Sequence, residues 1–245
     1  MIFEKIALEK VDSTNTVAQS HIRGDLDHAI VVVADEQSAG RGRLGRTWAS
    51  PKGNLYCSLL LPPTDDCTVD PRLSFVAANA VYETVSGFVE ERAAVSIKWP
   101  NDILIHGKKV SGILLEAVNK DNKIFTIAGV GINVVSETVE RVPPEIAANV
   151  TALHLHGPQS TTRDEVLDSF LKRFDSWYAR YRNDGFGPIR KFWNSHCNTI
   201  DEKVEIPSRK LEGISKGIND KGQLVLETQH GRIAVDSDEI RLSSQ

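Results

Sequence analysis

DILIHGKKVSGILLEA, residues 102–117, consists of two apolar arms divided by the polar segment HGKK, with Gly107 as its punctuation. Such a stretch predicts a β-hairpin, two antiparallel strands joined by a tight turn. Outward from it, AIVVVAD (29–35), NLYCSLLL (54–61), AVSIKW (94–99) and KIFTIAGVGINVV (123–135) share a β-branched or alternating strand character. Most of these strands follow one another without an intervening helix, which predicts an α+β fold on a mixed or antiparallel sheet rather than a doubly wound one. Three segments have helical spacing instead: Asn15 to about Ile22, residues 73–90, and residues 163–185. In the last, Val166, Phe170, Phe174, Trp177 and Tyr181 form one stripe for core packing ahead of a terminal glycine.

After Trp193 the character changes. From about Asn198, the short strands KVEI, LEGISKGI, QLVLET and RIAVD alternate with turns such as NDKG and QHG. This spacing predicts a small β-barrel or sandwich, too small to rely on its own core and therefore docked on the rest. The expected domains are residues 1–195 and 196–245.

The 245 residues are 40% hydrophobic and 25% charged, with a formal net charge of −4, the balance of an ordinary globular protein. A mildly acidic chain lacks the excess of Lys and Arg that nonspecific binding to nucleic acid or anionic membrane requires. Cys57, Cys67 and Cys197 are too few and too scattered for a disulfide framework, a zinc cluster or a CxxC redox site. The N-terminal MIFEKIALEKVDSTN has no signal-peptide core, and no run of about 18 apolar residues occurs elsewhere. A cytoplasmic location is expected.

GRGRLGRTWASPKGN, residues 40–54, sets Arg41, Arg43 and Arg46 among Gly40, Gly42, Gly45 and Gly53. Glycine lets backbone N–H groups approach an anion closely, and arginine adds a fork matched to carboxylate or phosphate. A solvated loop, a nucleic-acid contact and a small-anion clamp all fit that pattern, and neither a Walker A loop nor G-x-G-x-x-G is present. In IKWPNDI (97–103), Pro100 ends the strand; Asn101 and Asp102 cap a turn, or else they and Lys98 await a ligand or metal. GKKVSGILLE (107–116) places Lys109 after the hairpin turn and Gly112 in a strand, where something approaches the backbone. GVGINV (129–134) carries Asn133 beside two glycines that a bulge would explain. In VDSTN (11–15), Ser13 or Thr14 serves as a helix N-cap or faces an anion at the helix start.

These blocks, in one chain and in this order, closely resemble the biotin protein ligases, also called biotin–[acetyl-CoA-carboxylase] ligases. The likeness is strong over about residues 8–135. The C-terminal QLVLETQHGRIAVDSDEIRL is similar to the family's small SH3-like β-barrel, although Asp238 follows Ser237 where members often have glycine. The resemblance implies a mixed-sheet catalytic domain of the biotin/lipoate ligase type and a two-step reaction. ATP, with Mg²⁺, and biotin give biotinyl-5′-AMP and pyrophosphate; a lysine of a biotin carboxyl carrier protein or domain then takes the biotin as an amide.

By the same resemblance, Ser13, Thr14 and Asn15 meet the ureido ring, and Gln37, Gly42 and Gly112 belong to the biotin pocket. Arg41 and Lys109 lie near biotin, and Arg43 is shared between biotin and the adenylate. Lys109 also reaches the nucleotide, as do Asn101 and Asn133. Trp48, an aromatic in a glycine-rich loop, is expected to close over the adenylate as a lid against water. Lys108 is set aside because Lys109-Val-Ser-Gly is the matching register. Arg43, Lys109 and Asp102 form the catalytic set, with Asp102 either coordinating Mg²⁺ or accepting a proton from the incoming lysine; no protein metal site is assigned. Homodimer formation is left open, and neither nucleic acid nor membrane is an expected partner. Because the STN segment starts at residue 13, a monofunctional ligase without the repressors' N-terminal helix-turn-helix is expected. Two rivals are a lipoate or octanoate ligase, a family that lacks the GRGRLGR block, and a nucleic-acid-binding module built on the arginine loop.

Overall fold

The computed structural model describes residues 1–63, 70–140, 142–236 and 238–242, so Cys67 and Ser237 lie outside the described residues. Seven strands form one sheet: β1 (Phe3–Val11), β2 (Ala29–Gln37), β3 (Leu55–Leu61), β4 (Val95–Lys98), β5 (Asp102–Ile105), β6 (Lys108–Lys120) and β7 (Lys123–Ile132), in the order β1-β2-β3-β7-β6-β5-β4. β1 and β2 are parallel, joined through helix α1 (Thr14–Ser20), and the other pairs are antiparallel, so the sheet is mixed. The hairpin expected at 102–117 is β5–β6. Its turn residues His106 and Gly107 have φ of 48° and 75°, the positive values of a two-residue hairpin turn that matches strand twist.

Alternation along the strands divides the interior in two. Val31, Val33, Leu55, Cys57, Leu59, Val130 and Ile132 face the larger core, which α2 (Leu73–Gly87), α5 (Arg163–Asp184) and α6 (Phe186–His196) cover. Ile30, Val32, Leu60, Phe125 and Ile127 face the other way and pack on Ala18, Ile22 and Leu26, in and just after α1. Between β7 and α5 run two single-turn helices, α3 (Glu137–Glu140) and α4 (Pro144–Ala147). α5 begins at a Thr162–Glu165 capping box, and the expected stripe is buried at Val166, Phe170, Phe174 and Trp177, with Tyr181 partly buried at its end.

The C-terminal residues form a second, antiparallel sheet of β8 (Lys203–Ile206), β9 (Leu211–Ile218), β10 (Leu224–Thr228), β11 (Gly231–Val235) and β12 (Arg241–Leu242), in the order β11-β10-β9-β8-β12. This is the strand content of an SH3-like domain, with β11 and β12 left as edges by the pairings among the described residues. Val204, Ile206, Leu224, Leu226, Val235 and Ile240 join the larger core. Among the described residues no helix is long and apolar enough to cross a membrane.

Candidate functional site

The site lies on the face of the main sheet that α1 partly covers. Along β7 that face carries Phe125, Ile127, Gly129 and Gly131 in succession. The first two fill the small core, and the glycines leave a hollow beyond it. Their ladder partners keep the hollow open, because Gly131 lies between Gly112 and Tyr56, and Gly129 between Leu114 and Ser58. A Cβ on Gly129 would collide with the Asn15 amide, and one on Gly131 would stand 2.7 Å from the Trp48 indole. These glycines therefore serve close side-chain approach.

A bulge brings Lys109 to this face. Strict alternation sends residues 109 and 112 to opposite faces, yet a Cβ on Gly112 would lie 3.2 Å from Lys109 Nζ. The β5–β6 register resolves this. Ile103 pairs with Ser111 and Leu104 with Lys109, so Val110 is the extra residue and turns into the core. Lys109 Nζ then meets Asp102 Oδ1 at 2.7 Å and stands 5.2 Å from the Trp48 ring centroid. Asp102 itself starts β5, just after Pro100 has ended β4.

The arginine loop folds as a small hairpin over the hollow. Gln37 bridges to Ser50 and Arg41 to Thr47, with φ of 54° at Leu44 and 73° at Gly45 making its tip. Arg41 pairs with Glu116 at 3.1 Å and Arg46 with Glu239 at 2.5 Å. The Arg43 guanidinium has no hydrogen-bond or ion-pair partner among the described residues, and neither has the Lys98 ammonium, which lines the same cavity. Burial draws the Arg43 guanidinium below its ordinary value, opposed by the charges of Asp102 and Asp238. The Trp48 indole N–H is buried without a partner among the described residues.

A polar chain lies beneath the loop. Thr14 N and Oγ1 donate to Gln37 Oε1, at 2.8 and 3.1 Å, and Gln37 Nε2 donates to Ser50 Oγ. Ser58 Oγ lies 2.7 Å from Thr14 Oγ1 and 2.5 Å from Asn15 Oδ1, and Asn15 Nδ2 donates to Glu116. Two hydroxyl protons, those of Thr14 and Ser58, face three hydrogen-bond contacts, so the cluster is one donor short.

Ser13, Thr14, Asn15, Gln37, Arg41, Gly42, Arg43, Trp48, Asn101, Asp102, Lys109 and Gly112 thus line one cavity. Ser13 sits at the N-cap of α1 but its side chain caps nothing, leaving the hydroxyl to the cavity. The Asn101 amide donates to the Ile113 carbonyl, tying the WPND turn to β6. Asn133 is not in the lining; it is buried, with Nδ2 donating to the Thr151 carbonyl at 2.9 Å. Tyr56, Lys98 and Leu114 also line the cavity, as do Asp238, Glu239 and Ile240 from the segment between β11 and β12. No motif marks the last three, because only the folded chain brings them to the loop.

The family model of the biotin/lipoate A/B protein ligases matches residues 7–133, the stretch that builds this cavity. The chain belongs to the biotin/lipoate A/B protein ligase family. It is 35% identical over 95% of its length to the biotin–[acetyl-CoA-carboxylase] ligase of Paracoccus denitrificans, covering 98% of that protein. It is equally identical over 95% of its length to the bifunctional ligase/repressor of Bacillus spizizenii, covering 72% of it. The structure of the Aquifex aeolicus biotin protein ligase in complex with biotin and ATP superimposes with a TM-score of 0.84 at 32% identity, over 98% of this chain and 99% of that one. In this family member the cavity is floored by glycine of the main sheet and closed on one side by the β11–β12 connection.

Proposed function

We propose that the chain is an ATP-dependent biotin protein ligase, in which this cavity first makes biotinyl-5′-AMP and then passes biotin to a lysine of a carrier domain. The observation that carries the proposal is the meeting of an uncommitted Arg43 with the Lys109–Asp102 pair above an acceptor-rich polar chain. A cyclic urea brings two N–H donors and one carbonyl acceptor, which suits a cluster short of donors between Ser13, Thr14, Asn15, Ser58 and Gln37. That end of the cavity takes the ureido ring, and the carboxylate of biotin extends toward Arg43 and Lys109.

Adenylation requires a biotin carboxylate oxygen to attack the α-phosphorus of ATP as pyrophosphate leaves. Two anions 4 Å apart repel by about 4 kcal/mol at an effective dielectric of about 20, nearly a factor of 1000 in rate. Arg43, Lys109 and Lys98 offset that repulsion. Trp48, over the glycine floor, shields the acyl adenylate from water, and its free N–H is available to the nucleotide. Asn133, outside the lining and bound to the Thr151 carbonyl, steadies the chain just beyond Gly131 rather than touching the nucleotide.

Among the described residues no group of three or more potential ligands could hold a metal, and a single carboxylate beside substrate phosphates is the protein share Mg²⁺ ordinarily takes. Asp102 is that carboxylate, and the ion arriving with ATP would supply charge neutralisation on the phosphates. In the second step the acceptor lysine amine attacks the acyl carbon and AMP leaves. The amine proton passes to Asp102, which Lys109 holds at the cavity mouth.

Among the described residues, those of β6 beyond Ile113 pair on one side only, with β7. That open edge suits strand addition by the carrier domain or by a second copy in a homodimer. The proposal includes a cytoplasmic setting, where ATP and a carrier are met. Pyrophosphate exchange that depends on biotin, followed by transfer to a carrier domain, tests it; exchange driven by lipoate or octanoate instead would move the chain to the other branch of the family.

A further inference from the structure

Glu116 stands outside the cavity lining and yet holds two of its arms. It lies on β6 two residues beyond Leu114 and opposite Ile127, on the face of the glycine floor. Its Oε2 accepts from Asn15 Nδ2 at 2.7 Å, and its two carboxylate oxygens accept from Arg41 Nη2 at 3.2 and 3.1 Å. Arg41 Nη1 also donates to Thr16 Oγ1 at 2.9 Å. One carboxylate therefore joins β6, α1 and the arginine loop.

From Glu116 the contacts run on through Asn15, Ser58, Thr14, Gln37 and Ser50, and Ser50 Oγ donates to the Trp48 carbonyl at 2.9 Å. The circuit starts at Arg41 and ends at Trp48, so the polar residues of the ring pocket are also the anchorage of both ends of the loop. We propose that Glu116 is a positioning residue that couples occupancy of the ring pocket to the order of the arginine loop. A ligand that hydrogen-bonds Thr14, Asn15 or Gln37 competes within this circuit and supplies the donor it lacks. The loop then closes with Arg41 held by Glu116 and Arg43 free for the reacting anions. The identity of that ligand as biotin rests on the proposed ligase function.

The full chain carrying Glu116→Ala, and separately the isosteric Glu116→Gln, tests this by pyrophosphate exchange and by tryptic cleavage at Arg41, Arg43 and Arg46 with and without biotin. In the unmodified protein biotin slows cleavage of the loop. Glu116→Ala raises the KM for biotin about tenfold, since a buried amide donor and a guanidinium lose their acceptor, while kcat at saturating biotin and the KM for ATP change by about twofold or less. Biotin no longer protects the loop. Glu116→Gln shows a smaller rise, because its carbonyl still accepts from Asn15 but carries no charge for Arg41, and it keeps the test intact should the alanine variant fail to fold. In the Arg41→Ala, Glu116→Ala double variant the loss is smaller than the product of the single losses. An unmoved KM for biotin with full loop protection in a folded variant overturns the positioning role alone. An unmodified protein without biotin-dependent exchange overturns the ligase function itself.

Discussion

Arg43 is a cation in the cavity that no carboxylate of the described residues pairs with, whereas Arg41, Arg46 and Lys109 each hold a carboxylate. Arg43→Ala is therefore expected to slow adenylate formation by about 100- to 1000-fold, the usual scale for a donor aimed at developing charge, or to let the adenylate escape. Rapid-quench measurement of both half-reactions checks this, and unchanged rates in both would contradict the clamp. At Gly131 a Cβ would stand 2.7 Å from the indole of Trp48. Gly131→Ala thus unseats Trp48, and the expected result is faster loss of biotinyl-AMP to hydrolysis with little change in thermal stability. Asp102→Asn is expected to depress transfer to the carrier beyond its effect on adenylate formation; equal depression would restrict Asp102 to the phosphates. The part of the lining between residues 13 and 131 was legible as motifs, and Asp238, Glu239 and Ile240 were not. That Lys109 shares a face with Gly112 was not legible either, because it depends on the extra residue Val110 of β6, whereas the bulge that the glycines of GVGINV suggested is absent from the regular ladders of β7.

The elements divide in the same way. β2 to β7 were legible from β-branched or alternating runs, as was α5 from its stripe; Phe170→Ala, at a fully buried position, is expected to cost about 3–5 kcal/mol in chemical denaturation. β1 was not legible, since its side chains are mostly exposed and charged, as suits an edge strand. α6 was hidden because Gly185, Gly187 and Pro188 read as a break, yet Pro188 lies in the first turn, where proline is tolerated. Residues 149–156 were unread as well, although they brace the site from behind. Lys109 N donates to the Asn149 carbonyl and Thr151 N to the Lys109 carbonyl, both at 2.8 Å, and His156 Nε2 meets Thr151 Oγ1 at 2.7 Å. Burial, aided by His106 and Lys108, holds His156 below its ordinary 6.5. With the folded value below the unfolded one, its contribution is present above about pH 6.5 and is lost as pH falls through the folded value. The thermal midpoint advantage of the unmodified protein over His156→Gln is expected to shrink between pH 7.5 and 5; a constant difference would contradict it.

Across the whole molecule, the change of character near Asn198 was legible, and it marks the second sheet. What that sheet does was not, because its contribution is three residues brought to the loop by docking. Asp238 accepts from Ser208 and Arg209, and the adjoining Glu239 accepts from Arg46, so the sheet holds the outer side of the arginine loop while the polar chain holds its base. Glu239→Ala is expected to weaken adenylate retention with the fold intact, measured by release of biotinyl-AMP from the isolated complex. These scales meet in one claim, that the glycine-floored cavity activates biotin. Isotope exchange between pyrophosphate and ATP, run with biotin, with lipoate and with neither, tests it most directly. Exchange that appears with biotin alone is the predicted result, and exchange that is absent with biotin, or driven by lipoate, would contradict it.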